Sequence, residues 1–388
     1  MEKPKIRFGK FNNKWKKNKL DTVVDFFDNQ RIPIDSGERK AGPYPYYGAS
    51  GIIDYVDGYI FNGEYVLLAE DGANIILRSS PIAYLTKGKF WLNNHAHIMK
   101  MKTGSNEFLI QLLEKQNYEK YNTGTAQPKL NGEVVKKISL HFPSDDEQSA
   151  IGSLFRTLYD LLASYKYNLA NYQSLRRTML SKMFPKAGQT VPEIRLDGFE
   201  GEWEEKKLGE IVDIIGGGTP DTNVKEYWNG EINWFSPTEV GNSIYLDTSE
   251  KRISELGLQK SSAKILPANR TILFTSRAGI GSVGIITKDS TTNQGFQSLV
   301  TKQGIDIYFL FSYSSEITRY ALKHSAGSTF LEISGKELGK MDIIIPTYEE
   351  QQAIGSYFSN LDQLITSYQD KITQLETLKK KLLQDMFI

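Results

Sequence analysis

One stretch of this chain occurs twice. PSDDEQSAIGSLFRTLYDLLASYKYNLANYQSLRRTMLSKMF, starting at Pro143, returns as PTYEEQQAIGSYFSNLDQLITSYQDKITQLETLKKKLLQDMF, starting at Pro346. Aligned without a gap the copies share about sixteen of roughly forty positions, where chance gives roughly two or three. The identities include Glu147/Glu350, Gln148/Gln351, Ile151/Ile354, Gly152/Gly355, Phe155/Phe358, Tyr165/Tyr368 and the closing Met183-Phe184/Met386-Phe387. At the same offset the match reaches back through Gly124-Thr125/Gly327-Ser328, Leu130/Ile333 and Lys137/Lys340. A second match lies upstream, where Pro4, Ile6, Arg7, Phe11, Trp15, Leu20, Val24 and Asp25 pair with Pro192, Ile194, Arg195, Phe199, Trp203, Leu208, Val212 and Asp213. The offset is 203 for the later block and 188 for the opening one, so the second copy holds 15 more residues between its anchors. Between the anchors the copies scarcely resemble each other. The chain therefore folds as one frame used twice with unlike contents.

Each later block has the period of a long helix. Asp145, Asp146 and Glu147 follow Pro143 where acids favour a helix N-terminus. Apolar residues recur at Ile151, Leu154, Leu158, Leu161, Tyr165, Leu169, Tyr172, Leu175 and Met179, in steps of three and four. The second block repeats this at Ile354, Tyr357, Leu361, Leu364, Tyr368, Ile372, Leu375, Leu378 and Leu382. With these positions as the seam, both lose heptad register at one place, beside Asn168 and Lys371, a shared stutter. A helix of about 38 residues is about 57 Å long and needs a partner for its apolar stripe. Since the order is domain, helix, domain, helix, antiparallel pairing of the two is expected.

The remaining segments, 1–142 and 190–345, carry short strand patterns at 65–69, 75–77, 271–274 and 283–286, with turn signals between them. Short helices are expected near 106–118 and 305–322. The stretch PKAGQT at 185–190 reads as a join between the two halves. The fold class is α+β: two small mixed domains, 1–142 and 190–345, separated by a pair of long antiparallel coiled-coil helices, 143–184 and 346–388, in a pseudo-two-fold internal repeat.

Composition narrows the function classes. With no cysteine in 388 residues, disulfides and thiolate metal sites are excluded, which fits a reducing cytoplasm. The start MEKPKIRFGK has no apolar run behind it, and no stretch nears 18 uninterrupted apolar residues, so neither a signal peptide nor a membrane span is expected. A net charge of +1 argues against coating nucleic acid through bulk charge. Lys3, Lys5, Arg7, Lys10, Lys14, Lys16, Lys17 and Lys19 crowd the first twenty residues, as a solvated basic arm or a DNA contact.

Taken in order, the motifs resemble those of the specificity subunit of type I restriction-modification systems over nearly the whole chain. They are YPYYGASGIIDYV at 44–56, GTAQPKLN at 124–131, PEIRLDGFEGEWEEKKLGEIV at 192–212, GGGTPDTNVKEYW at 216–228, TNQGFQSL at 292–299, and PxxxEQxAIG at the head of both long helices. The resemblance implies that the mixed domains are target-recognition domains, each reading one half of a split double-stranded DNA sequence, with the helices as spacer. It implies two modification subunits that bring S-adenosylmethionine and methylate adenine N6. Restriction subunits, which use ATP and Mg, can join to cleave DNA. The chain itself is then non-catalytic and binds no cofactor. Half-sites read from one face of B-DNA lie about 34–36 Å apart, a span within reach of helices this long.

Reading base edges takes side chains that match their donors and acceptors. In the first domain the candidates are Tyr44, Tyr46, Tyr47, Ser50, Asn93, Asn94, His95, Thr125, Gln127 and Lys129. In the second they are Thr219, Asn223, Lys225, Arg277, Asn293, Gln294, Ser328 and Thr329. Each has a plainer reading. The tyrosines, Tyr46 above all, can pack the core; residues 124–129 can be a turn before a strand; Arg277 can sit in a structural ion pair. Gly279, Gly281 and Gly284 match GxGxxG, but the next residues, IITKDSTT, read as strand and turn rather than the helix a pyrophosphate needs. His95 and His97 resemble a metal pair in a chain with only 4 histidines, and no cluster completes a site. Gly216–Thr219 lacks the lysine of a phosphate loop, and no GxxxxGK[ST] or Asn/Asp-Pro-Pro-aromatic signature occurs. Two rivals remain open: a nucleotide-dependent enzyme built around 279–284, and a protein scaffold that meets no DNA.

Overall fold

The computed structural model describes residues 3–277, 279–327 and 331–388. They form two compact units. The first comprises residues 1–168 and 368–388, and the second comprises 169–367. Both long helices, Asp145–Lys182 and Tyr348–Asp385, thus start in one unit and end in the other.

In the first unit one sheet is antiparallel throughout, in the order Val24–Phe26, Ala96–Met101, Tyr65–Ala69, Ala83–Thr86. A second runs Gly51–Val56, Ala41–Gly48, Lys89–Leu92, Phe61–Asn62, with its central pair parallel. The second unit repeats both. Its first sheet is Val212–Gly216, Gln297–Thr301, Thr271–Phe274, Val283–Ile286, extended by Tyr245–Leu246. Its other sheet is Lys251–Ile253, Trp228–Phe235, Ser290–Thr292, again with one parallel pair. The duplication thus extends through the stretches where the sequences diverge.

The residues that do repeat are those that tie the helices to the domains. Arg7 grips Glu147 through two hydrogen bonds of 2.6 and 2.7 Å, and Arg195 grips Glu350 at 2.8 and 2.7 Å. Both glutamates are buried. The Nε2 of Gln148 donates to the Pro143 carbonyl, as that of Gln351 does to Pro346. A side chain at Gly152 would collide with the Ser105 hydroxyl, and one at Gly355 with the Asp306 carboxylate. Those two residues are the N-caps of helices Asn106–Lys115 and Ile307–Ser312, accepting from Phe108 and Phe309 N–H. The repeated glycine is where a domain helix meets a long helix.

The closing Met-Phe pairs are exchanged between the halves. Met386 and Phe387 belong to the core of the first unit, where Phe387 packs on Trp15, Phe108 and Phe155. Met183 and Phe184 belong to that of the second, where Phe184 packs on Trp203, Phe309 and Phe358. Each core is finished by the end of the long helix that began at the other domain. The chain enters both cores alike, for Ile6 N–H donates to the Asp385 carbonyl and Ile194 N–H to that of Lys182.

Within each unit the helices run antiparallel. In the first, the early part of one lies beside the late part of the other, through Tyr165–Tyr368, Lys166–Glu376 at 2.7 Å, and Lys379 over the Tyr159 ring at 4.5 Å. In the second, Arg176 pairs with the buried Asp362, which also accepts from the Tyr308 hydroxyl at 2.9 Å. The seam differs from the sequence expectation. Phe155 and Leu162 are buried where Leu154 and Leu161 were expected, and Phe358 and Ile365 where Tyr357 and Leu364 were. Leu161, Leu175, Leu364 and Leu378 are exposed. The inner positions 151, 155, 158, 162, 165, 169, 172, 176 and 179 alternate steps of four and three without a break, so the stutter disappears. The apolar pattern misled because two inward positions are Arg176 and Lys379, whose stems line the seam while their charges reach a partner.

Strands at 65–69, 271–274 and 283–286 stand where expected, whereas Asn74–Leu77 is a turn of helix. Among the described residues, no helix is long and apolar enough to cross a membrane.

Candidate nucleic-acid interface

In the first unit three loops meet where strand Tyr65–Ala69 ends. Glu70 N–H donates to the His95 carbonyl, Leu130 N–H to that of Glu70, and Gly72 N–H to that of Pro128. This brings the 70–72, 93–95 and 122–131 loops side by side. The Asn93 side chain accepts from His95 N–H at 2.8 Å, while its own N–H donates to the Tyr47 carbonyl. Asn93 is buried and shapes the turn; Asn94 and His95 project from it. Thr125, Gln127 and Lys129 are exposed on the third loop, pinned by Asn122, which accepts from the N–H groups of Gly124 and Lys129 at 2.9 Å. A side chain on Gly124 would run into the Gln127 carbonyl.

The expected tyrosines scatter. Tyr46 is buried, stacked under the Arg39 guanidinium, its hydroxyl accepting from Ile34 N–H at 2.9 Å. It packs the domain rather than facing a ligand. Tyr47 stacks on Tyr84 and meets Phe90 edge-on, so its ring serves packing too, and burial pushes its hydroxyl pKa up. Tyr44 leans on Tyr59, and Ser50 is exposed between strands Ala41–Gly48 and Gly51–Val56.

Beneath the loops lies a charged cluster that the sequence did not reveal. His97 is buried, its Nδ1 2.7 Å from the Asp28 carboxylate and its Nε2 2.8 Å from the Leu130 carbonyl. Arg31 donates to Glu70 at 2.6 Å and to the Ala96 carbonyl at 2.8 Å, and Lys129 lies 3.4 Å from Glu70. Burial alone would raise the Asp28 pKa, but the hydrogen bond and charge of His97, the Ile98 N–H and Arg31 outweigh it and hold it below the ordinary value. His97 is thus a structural brace for the third loop. Among the described residues no group of three or more histidine or acidic side chains could hold a metal ion. Asp71, also unforeseen, lies 2.8 Å from the exposed His95 ring. No local pattern marks these residues, for each pairing joins loops far apart in the sequence.

The second unit builds the same junction. Asn293 accepts from Gly295 N–H at 2.8 Å and donates its own N–H to the Phe235 carbonyl. Ser276 N–H donates to the Gly295 carbonyl, and Ile333 N–H to that of Ser276. Thr219 donates to Gln294 at 2.5 Å, so Thr219, Arg277, Asn293 and Gln294 come together. Arg277 makes no ion pair among the described residues, which leaves its guanidinium unclaimed by the structural role weighed for it. Asn223 and Lys225 lie apart on an exposed turn built on Asp221. Ser328 and Thr329 lie outside the described residues. Gly279 and Gly281, at φ of +113° and +101°, form the turn between antiparallel strands Thr271–Phe274 and Val283–Ile286. A hairpin has no helix N-terminus to offer a pyrophosphate.

A family model described as type I restriction modification DNA specificity domain matches residues 12–171 and again 200–377. The chain is 38% identical over 192 residues to the type I restriction enzyme MjaIX specificity subunit of Methanocaldococcus jannaschii, covering 48% of this chain and 44% of that one. It is 30% identical over 255 residues to the EcoR124I/EcoR124II specificity subunit of Escherichia coli, covering 63% and 60%. The matched stretch is therefore less than two thirds of either relative's length. A crystal structure of a type I restriction-modification S subunit from M. genitalium shares the fold, with a TM-score of 0.70 at 16% identity over 100% of this chain and 99% of that one. With both copies of its repeat matched, this chain belongs to the family of type I restriction-modification specificity subunits.

Proposed function

We propose that each unit of this chain reads one half of a split duplex DNA target. The observation that carries this is the paired junction: one scaffold, built twice, presents Asn94 and His95 in one unit and Gln294 and Arg277 in the other. Unlike side chains projecting from one shared scaffold are what two readers of unlike half-sites require. Base edges are read by such projecting donors and acceptors.

On this reading the paired helices are the spacer between half-sites, and their outer faces dock two modification subunits. Leu161 and Leu364, and likewise Leu175 and Leu378, are exposed at equivalent positions of the repeat, an apolar pattern that suits two copies of one partner. The modification subunits bind S-adenosylmethionine and methylate adenine N6, which must leave the duplex to be reached. Restriction subunits, using ATP and Mg, can complete the complex. The chain contributes recognition and no catalysis, and it works in the cytoplasm, where its duplex target is.

The test is to express the chain with its modification subunit and sequence the host methylome. A bipartite motif with a fixed gap is expected. Replacing 190–345 with the same segment of another family member should change one half of the motif and leave the other half and the gap intact. If both halves changed together, the modular reading would be wrong.

A further inference from the structure

Matched bond by bond, the two junctions share equivalent positions that sequence alignment misses. Glu70 corresponds to Ser276, since each donates its N–H to the carbonyl of the residue two beyond the turn asparagine. Hence Asp71 corresponds to Arg277 and His95 to Gly295. The bridges between Asp71 and Lys129 and between Arg277 and Glu332 fix the same register. Bulk is exchanged between these two positions. In the first unit the long side chain is His95 and the short one Asp71, with Nδ1 and the carboxylate 2.8 Å apart. In the second the long one is Arg277, whose Nε lies 3.7 Å from where a Cβ on residue 295 would stand, and position 295 is bare.

We infer that this two-residue cell is a base-reading position of each unit, offering hydrogen-bond acceptors in the first and a donor fork in the second. The inference rests on the proposed reading of DNA by both units and names the base class each cell takes. In the first cell the carboxylate only accepts, so His95 Nδ1 carries the proton. In that tautomer Nε2 is left as an acceptor beside the remaining Asp71 oxygen. Acceptors match an exocyclic amino group, the cytosine N4 or adenine N6 edge in the major groove. In the second cell a guanidinium matches guanine O6 and N7. Asp71 thus both orients the imidazole through one oxygen and offers the base its other. Gly295 leaves room for the arginine, since any side chain there would also press on Pro237 and the Asn293 carboxamide.

The full chain with its modification subunit, selected against a randomised duplex pool, tests this. H95A should relax one cytosine or adenine position in one half-site by roughly ten- to hundredfold in base preference. R277A should relax one guanine in the other half-site to a similar degree, each leaving the gap unchanged. D71N, which turns one of the two carboxylate acceptors into an N–H donor, should shift the first preference in the same direction as H95A, while D71E, which keeps both acceptors, retains it. H95Q and R277K preserve bulk and should lose preference at the same single positions if the alanine variants unfold. Wild-type motifs from folded H95A and R277A proteins, or a change in the wrong half-site, would overturn the cell assignment alone. If the wild-type complex enriched no split motif, the base-reading function itself would fail, a distinct outcome.

Discussion

Phe387 is the residue whose removal says most about how this chain is built. It is buried in the first unit, with ring centroids 6.2 Å from Trp15, 5.4 Å from Phe108 and 5.9 Å from Phe155, yet it lies 372 positions from Trp15. Truncating a buried phenylalanine to alanine costs about 3–5 kcal/mol, the lost transfer of the ring plus the cavity left behind. At about 1.4 kcal/mol per tenfold, that is between two and four decades in the opening equilibrium of the first unit. Hydrogen exchange read by mass spectrometry can see this segment by segment. In F387A, amides of strands Tyr65–Ala69 and Ala96–Met101 should exchange faster by that factor. Those of Thr271–Phe274 and Gln297–Thr301 should hold their rates. F184A should show the converse, since its ring packs on Trp203 and Phe309 in the second unit. Unchanged protection of the first unit in F387A, or equal loosening of both units, would refute the idea that each core is closed by the far end of the other helix.

Three more outcomes are expected. Replacing Glu147 or Glu350 by alanine strands a mostly buried arginine, and should lower the stability of the affected unit by about 3–5 kcal/mol in urea unfolding. The depressed pKa of Asp28 means that the folded first unit binds fewer protons than its unfolded chain. Its contribution is therefore complete above the ordinary aspartate pKa of about 3.9 and is lost as pH falls through and below it. Against D28N, the wild-type stability advantage should shrink across that window, and a constant difference down to pH 2 would contradict the assignment. G124A must open the turn that its Cβ would invade, so DNA affinity should drop with little change in melting temperature, checked by fluorescence anisotropy beside calorimetry.

Much of this architecture was legible without coordinates, for reasons visible in particular residues. The repeated Arg, Glu, Gln, Gly and Met-Phe positions mark the contacts that any copy of the frame has to make, and such contacts tolerate little change. Strands 65–69 and 283–286 announced themselves as short apolar runs bounded by turns. The seam of the helices was misread by one position, because hydropathy favours Leu175 and Leu378 over the neighbouring Arg176 and Lys379 that point inward. Hydropathy does not register that a long stem can be buried while its charge finds a partner. The candidate interface was legible only as residue types.

What the amino-acid order determined by itself was therefore the duplication, the two long helices and the alternation of mixed domains with them. All three are carried by local period and by repeated identity. The junctions were decided by tertiary structure alone. Asp71 meets His95, and Arg277 lies over Gly295, because hydrogen bonds between loops set the register, and those bonds are made by backbone groups common to every sequence. Side chains free to vary on an invariant backbone turn leave no pattern in one sequence, and only the fold shows which of them stand in the same place.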